Sequence, residues 1–199
     1  MGNVADCPQH EGIHRIEIYW RARGPQPARP LISRPPMADG TPPGTPPLEW
    51  STAARPIVMV SGCYDLLHSG HAAFFADAKK HGNLYVSVGS DVNVTQLKKA
   101  PMFPENERLY MVRAIRHVTW AAVCSGMGML DWEADLDIVK PDVFFVNEDG
   151  DRPGKREACE KRGITYQVGN RVPAENLDVR SSTSIKAALK EQANTKEGK

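Results

Sequence analysis

From residue 55 onward, apolar residues gather in short runs separated by stretches of mixed polarity. "PIVMVSG" (56–62), "NLYVSVGS" (83–90), "WAAVCS" (120–125), "DVFFVNED" (142–149) and "ITYQVG" (164–169) are short, apolar and mostly rich in β-branched or aromatic side chains. Such runs predict strands, the first of them buried and the third the weakest of the signals. Between them the period changes. "HAAFFADAKKHG" predicts a helix ending at Gly82, and "PENERLYMVRAIRHV" one with Leu109, Val112, Ile115 and Arg116 at helical spacing. "MLDWEADLDIVK" predicts a helix stopped by Lys140-Pro141, because the residue before a proline leaves the helical region. "GKREACEKRG" is a helix closed by Gly163, and "STSIKAALKEQA" a last helix with Ser181 or Ser182 as its N-cap. Strands alternating with helices imply an α/β fold, a Rossmann-like parallel five-stranded sheet with helices on both faces. Ligands of such sheets bind beyond the carboxyl ends of the strands, near the switch point.

The first fifty residues follow no such pattern. "RARGPQPARPLISRPPMADGTPPGTPP" is rich in proline and glycine without apolar period. It cannot bury enough surface to offset the entropy of ordering, so residues 1–50 are expected to be a disordered extension. Met37 is an alternative start of translation. The folded domain is expected over residues 51–192, with residues 193–199 as a solvated tail.

Composition narrows the function. The 25 basic and 24 acidic residues nearly cancel, which gives no electrostatic footprint for nucleic acid or an anionic membrane. The four cysteines are scattered and form neither a CxxC pair nor a metal-ligand spacing, which suits reduced thiols in a cytoplasmic protein. No apolar run approaches the roughly 20 residues that span a bilayer.

The candidate chemistry sits where the first strand meets the first helix. "SGCYDLLHSGHAAFF" (61–75) opens with two small residues and places His68 and His71 three apart at the mouth of a helix. A glycine-containing turn before a helix offers free backbone N–H groups and a positive dipole end, and the two imidazoles add donors to the same anion. Neither the P-loop pattern GxxxxGK[ST] nor the dinucleotide turn GxGxxG is present there. Asp65 is read as holding the turn through backbone N–H groups, and Cys63 as a small residue that fits it.

"GCYDLLHSGH" resembles the G-x-[FY]-D-x-x-H-x-G-H signature of the nucleotidyltransferase superfamily. Within it the chain is most similar to cytidylyltransferases acting on phosphoethanolamine, phosphocholine and glycerol phosphate. "GSDVNVTQLKKAPMFPENERLYMVRAIRHV" resembles the second block of that family, and "RSSTSI", about 110 residues beyond His71, its closing motif at the start of the last helix. The resemblance implies His68, His71 and Lys98 as catalytic residues, with neighbouring Lys99 as the alternative lysine. It implies nucleotide binding by Gly62, Cys63, Tyr64 and Asp65 in the turn, by Asp149 at the ribose and by Ser181, Ser182 and Thr183 at the phosphates. Either Arg171 or Arg180 is the phosphate arginine, since "VPAENLDV" separates them.

The implied reaction is attack by an acceptor phosphate on the α-phosphorus of a nucleoside triphosphate, with pyrophosphate leaving. The protein aligns the groups and stabilises charge, and Mg²⁺ is held mainly by the triphosphate. Expected partners are CTP, preferred over ATP, and a phosphorylated small alcohol, with no nucleic acid and no membrane. A homodimer remains open. Two alternatives stand beside this: an adenylyltransferase of the same superfamily using ATP, and a nucleotide-binding regulator without turnover.

Overall fold

The computed structural model describes residues 56–97, 100–128, 130–170, 173 and 176–197. The extension expected over 1–50 lies outside them, as do Lys98, Lys99 and Arg171. Five parallel strands, β1 (Ile57–Gly62), β2 (Asn83–Val88), β3 (Trp120–Val123), β4 (Val143–Asn147) and β5 (Thr165–Gly169), form one sheet in the order β3-β2-β1-β4-β5. The chain therefore moves outward from β1 to β3, then returns to the other side of β1. The switch point falls between β1 and β4, where a parallel sheet opens a crevice for ligands.

Helices α1 (Ser69–Lys79), α2 (Asp91–Leu97), α3 (Glu105–Arg113), α4 (Glu133–Val139), α5 (Pro153–Glu160) and α6 (Ser182–Glu197) join and follow the strands. Alternate residues of β1 serve opposite faces. Val58 and Val60 pack with Phe75 of α1 and Val112 of α3, while Met59 packs with Leu136 of α4 and Ala158 of α5. Burial on both faces is why β1 to β4 read as continuous apolar runs rather than alternating ones, whereas edge strand β5 is exposed or half-buried along its length.

Several boundaries differ from the sequence reading. Helix α2 was not expected; "DVNVTQL" has no broad apolar stripe, and its buried Asn93 is fixed by hydrogen bonds rather than by packing alone. Helix α3 stops at Arg113, five residues before Val118. Helix α4 begins at Glu133 and ends at Val139, as expected before Pro141, but Lys140 leaves the helix through a left-handed C-cap (φ 48°) rather than the extended conformation a following proline favours. Helix α6 runs to Glu197, so most of the expected tail is helical.

A buried carboxylate knits α4 to the sheet. Asp135 accepts from the hydroxyls of Ser87 and Ser125 and from the Ser125 N–H at 3.0 Å. Burial raises its pKa, and these three donors only partly offset the rise. Among the described residues no helix is long and apolar enough to cross a membrane.

Candidate active site

The turn after β1 is shaped by its side chains. Tyr64 and Leu66 both adopt positive φ (54° and 58°), a costly conformation for bulky residues that the surrounding contacts must hold. The Tyr64 ring folds back over Gly62, where an added Cβ would lie 2.8 Å from the ring, so no larger residue fits there. Gly70 is as tightly placed: a Cβ would sit 2.9 Å from the His68 ring and 3.1 Å from the Arg180 carbonyl.

His68 and His71 cap α1 reciprocally. His68 is the N-cap, and its Nδ1 accepts the Gly70 N–H at 3.1 Å. The His71 Nδ1 accepts the His68 N–H at 3.4 Å. With both Nδ1 atoms accepting, the neutral rings carry their protons on Nε2, which assigns each a donor remote from the backbone. The ring centroids are 3.9 Å apart, and the Tyr64 ring meets His71 edge-on at 5.5 Å. The spacing of three thus serves helix start and donor placement together.

Asp65, only 6 % exposed, ties three segments. One carboxylate oxygen accepts the N–H groups of Met102 (2.9 Å) and Phe103 (3.2 Å); the other pairs with Lys186 of α6 at 2.7 Å. Its carbonyl accepts the Ser182 hydroxyl at 2.9 Å. Burial pushes its pKa up, but Lys186 and the two N–H groups outweigh it and hold the carboxyl below its usual value. Asp65 therefore secures the turn against other segments rather than within itself. Arg108, 1 % exposed, does the same from α3: it donates to the carbonyls of Cys63 and Phe103 and pairs with Asp91 at 2.8 Å.

The start of α6 resolves the choice of N-cap. Ser181 caps, accepting the Ser184 N–H at 3.0 Å, while the Ser184 hydroxyl faces the Ser181 N–H at 3.2 Å. Two of the three hydroxyls expected at the phosphates thus also have structural work, Ser181 in the cap and Ser182 on the Asp65 carbonyl.

A cleft of about 420 Å³ opens beside the switch point. It brings together Gly62, Cys63, Tyr64, Asp65, His71, Asp149, Ser182 and Thr183 of the expected residues. His68, Ser181 and Arg180 do not line it, although Arg180 approaches α1 through its carbonyl. Two lysines that the sequence reading passed over, Lys155 and Lys186, do line it. Each sits in a helix where lysines are commonplace, so only the fold singles them out.

The Tyr64 hydroxyl is buried and has no hydrogen-bond partner among the described residues. Burial, and the neighbouring Cys63, raise its pKa. An unpartnered buried hydroxyl costs about 1–3 kcal/mol. Tyr64→Phe is expected to raise Tm by a few degrees, taking about 2–4 °C per kcal/mol for a chain of this size. Thermal melts of the two proteins check it; an unchanged or lower Tm would mean the hydroxyl has a partner.

A cytidylyltransferase-like family matches residues 59–188. Among curated proteins the chain is 31 % identical over 137 residues to a FAD synthase of Methanocella paludicola, covering 67 % of this chain and 96 % of that one. It is 35 % identical over 117 residues to a FAD synthase of Methanopyrus kandleri, covering 56 % of this chain and 76 % of that one. Among solved structures, a lipopolysaccharide core biosynthesis protein of Thermoplasma volcanium GSS1 superposes with a TM-score of 0.51 at 28 % identity, covering 60 % of this chain and 98 % of that one.

These relatives overturn the expectation of CTP as donor and a phosphorylated small alcohol as acceptor, since the relatives are FAD synthases. The physical reason lies in what the resembling motifs do. "GCYD" and "MFPENERLYMVRAI" meet through Asp65 and Arg108, which hold backbone groups of the turn and the 102–103 loop. They shape backbone that enzymes accepting different bases can share, so likeness in them cannot choose between CTP and ATP. The chain is a nucleotidyltransferase and belongs to the cytidylyltransferase-like family.

Proposed function

We propose that this chain transfers the adenylyl group of ATP to the phosphate of FMN, giving FAD and pyrophosphate. The observation that carries this reading is the set of FAD synthase relatives, two of which the chain covers over at least 95 % of their length. The first cleft supports it: a helix-mouth turn, an imidazole, an acidic residue at the end of β4 and the start of α6 converge there. An oxygen of the FMN phosphate attacks the α-phosphorus of ATP, and the bond from that phosphorus to the oxygen bridging to the β-phosphate breaks. His71, with the His68 ring tilted against it, donates from Nε2 to phosphate oxygens as charge builds. Backbone N–H groups at the start of α6 and the Lys186 ammonium face the same charge. Asp149 takes the ribose hydroxyls, and Lys98 or Lys99 neutralises the two phosphates that react.

Mg²⁺ fits this donor set as an ion carried by the triphosphate. Asp65 is committed to Lys186 and two N–H groups and Asp149 to the ribose, and the described residues hold no cluster of three metal-ligating side chains. When bound, the ion would offset triphosphate charge, coordinated mainly by phosphate oxygens and water.

Val94 and Trp132 line a second cleft, apolar side chains that suit a flat flavin ring. A base pocket formed for one base leaves polar groups unmatched by another. Incubated with FMN, Mg²⁺ and equal ATP and CTP, the chain is expected to form adenylylated flavin over cytidylylated flavin by at least about tenfold, or ~1.4 kcal/mol. Product mass decides it. A cytidylylated product in excess, or no flavin dinucleotide at all, would overturn the reading.

A further inference from the structure

The second cleft, of about 200 Å³, shares the Gly62-Cys63 wall with the first and extends over β2 to Asn93, Asp131 and Trp132. Most polar groups along it are already satisfied. The Asn93 amide donates to the Gly126 carbonyl (3.0 Å) and to Asp131 (3.2 Å), and accepts the Gly128 N–H (2.9 Å). The Ser87 hydroxyl is spent on buried Asp135.

Lys155 is different. It lines both clefts, and its ammonium makes no hydrogen bond or ion pair among the described residues. It stands 5.9 Å from the centre of the Trp132 ring, at the outer limit of a cation–π contact. Burial lowers its pKa, as does Arg152, while Asp131 and Asp151 pull the other way from beyond ion-pair distance. A half-buried ammonium without a partner is costly, and an anion brought to it recovers that cost.

We propose that the second cleft receives the phosphate of the acceptor and that Lys155 binds it there, in addition to the lysine of the 98–99 pair. This rests on the adenylyl-transfer reading above. Transfer requires two anions, the acceptor phosphate and the α-phosphate, to approach to about 3–3.5 Å. A cation that borders both clefts lowers their repulsion where they meet. Lys155 stands on the α5 side of the shared wall, carried there by the turn that follows β4 and presents Asp149.

FMN and riboflavin differ by the phosphate alone, so flavin-fluorescence titration of each isolates it, with calorimetric ATP binding as the control. The unmodified chain is expected to prefer FMN. Lys155→Met should weaken FMN by about 10–100-fold, the range of a charged hydrogen bond, and leave riboflavin and ATP within about twofold. Lys155→Arg should restore part of the loss. Equal weakening of FMN and riboflavin would make the role structural and overturn the proposal, as would loss confined to ATP or no loss at all. If the unmodified chain forms FAD while Lys155→Met binds FMN normally, the Lys155 assignment alone fails. If the unmodified chain neither binds FMN nor forms FAD, the flavin reading fails and takes this one with it.

Discussion

His68→Asn and His71→Asn are each expected to lower kcat/KM for adenylyl transfer by about 10²–10³-fold, or ~3–4 kcal/mol, the usual loss when one preorganised donor to a developing oxyanion is removed. Melting temperatures should change little, because asparagine keeps the part of histidine that the fold uses. In each residue the fold uses Nδ1, as acceptor of a backbone N–H at the start of α1. The asparagine Oδ1 reaches a similar position, and asparagine is among the best N-cap residues. What disappears is the Nε2–H beyond it. His71 lines the cleft and should show the larger loss. Alanine at position 68 removes cap and donor together, so it should cost about 1 kcal/mol of stability besides. Pyrophosphate release and thermal melts, run on all three variants, separate these effects. Activity within tenfold of the unmodified chain in both asparagine variants would show that the imidazoles serve the helix and not the reaction.

The same pair shows how much of the molecule was legible. The strands were readable because each is short, largely apolar and closed by a turn signal, and burial on both faces of β1 to β4 leaves few polar positions within them. The stop of α4 was readable because Lys140-Pro141 acts locally. Helix α2 was not, because Asn93 is held by partners more than thirty residues away. That the sheet is parallel was legible from the alternation of strands and helices, but its strand order, and so which strands flank the crevice, is decided by long-range pairing such as that of β1 with β4.

The site divides along the same line. Gly62, Gly70, His68 and His71 announce themselves, since a tight turn and a helix mouth leave few residue choices. Lys155 and Lys186 do not, because a lysine facing a cleft has no local mark. The donor was misread for a related reason. Asp65 and Arg108 are legible as a motif because they hold backbone, and backbone geometry is common to enzymes that differ in the base they accept.

Asp65→Ala is expected to destabilise the domain by about 3–5 kcal/mol, the usual result of removing one partner from a buried charged network. The loss leaves the N–H groups of Met102 and Phe103 without acceptors and separates the turn from α6. Tm should fall by roughly 6–20 °C, taking about 2–4 °C per kcal/mol for a chain of this size. The ion pair itself is the smaller share, because the Lys186 side chain is 42 % exposed and solvent screens it. Lys186→Met should therefore cost less than Asp65→Ala. The effect also has a definite dependence on pH. Asp65 has a folded pKa below its ordinary value of 3.8, so the folded state favours the carboxylate. Its contribution is fully present above that ordinary value and is lost as pH falls through the folded one. Denaturant unfolding of the unmodified chain and of Asp65→Asn at neutral pH and at successively lower pH isolates this group, since the other carboxylates titrate alike in both. The stability difference should shrink as pH drops below about 4. A difference that stays constant with pH would mean that Asp65 acts through shape alone, and that its charge does not hold the turn to α6.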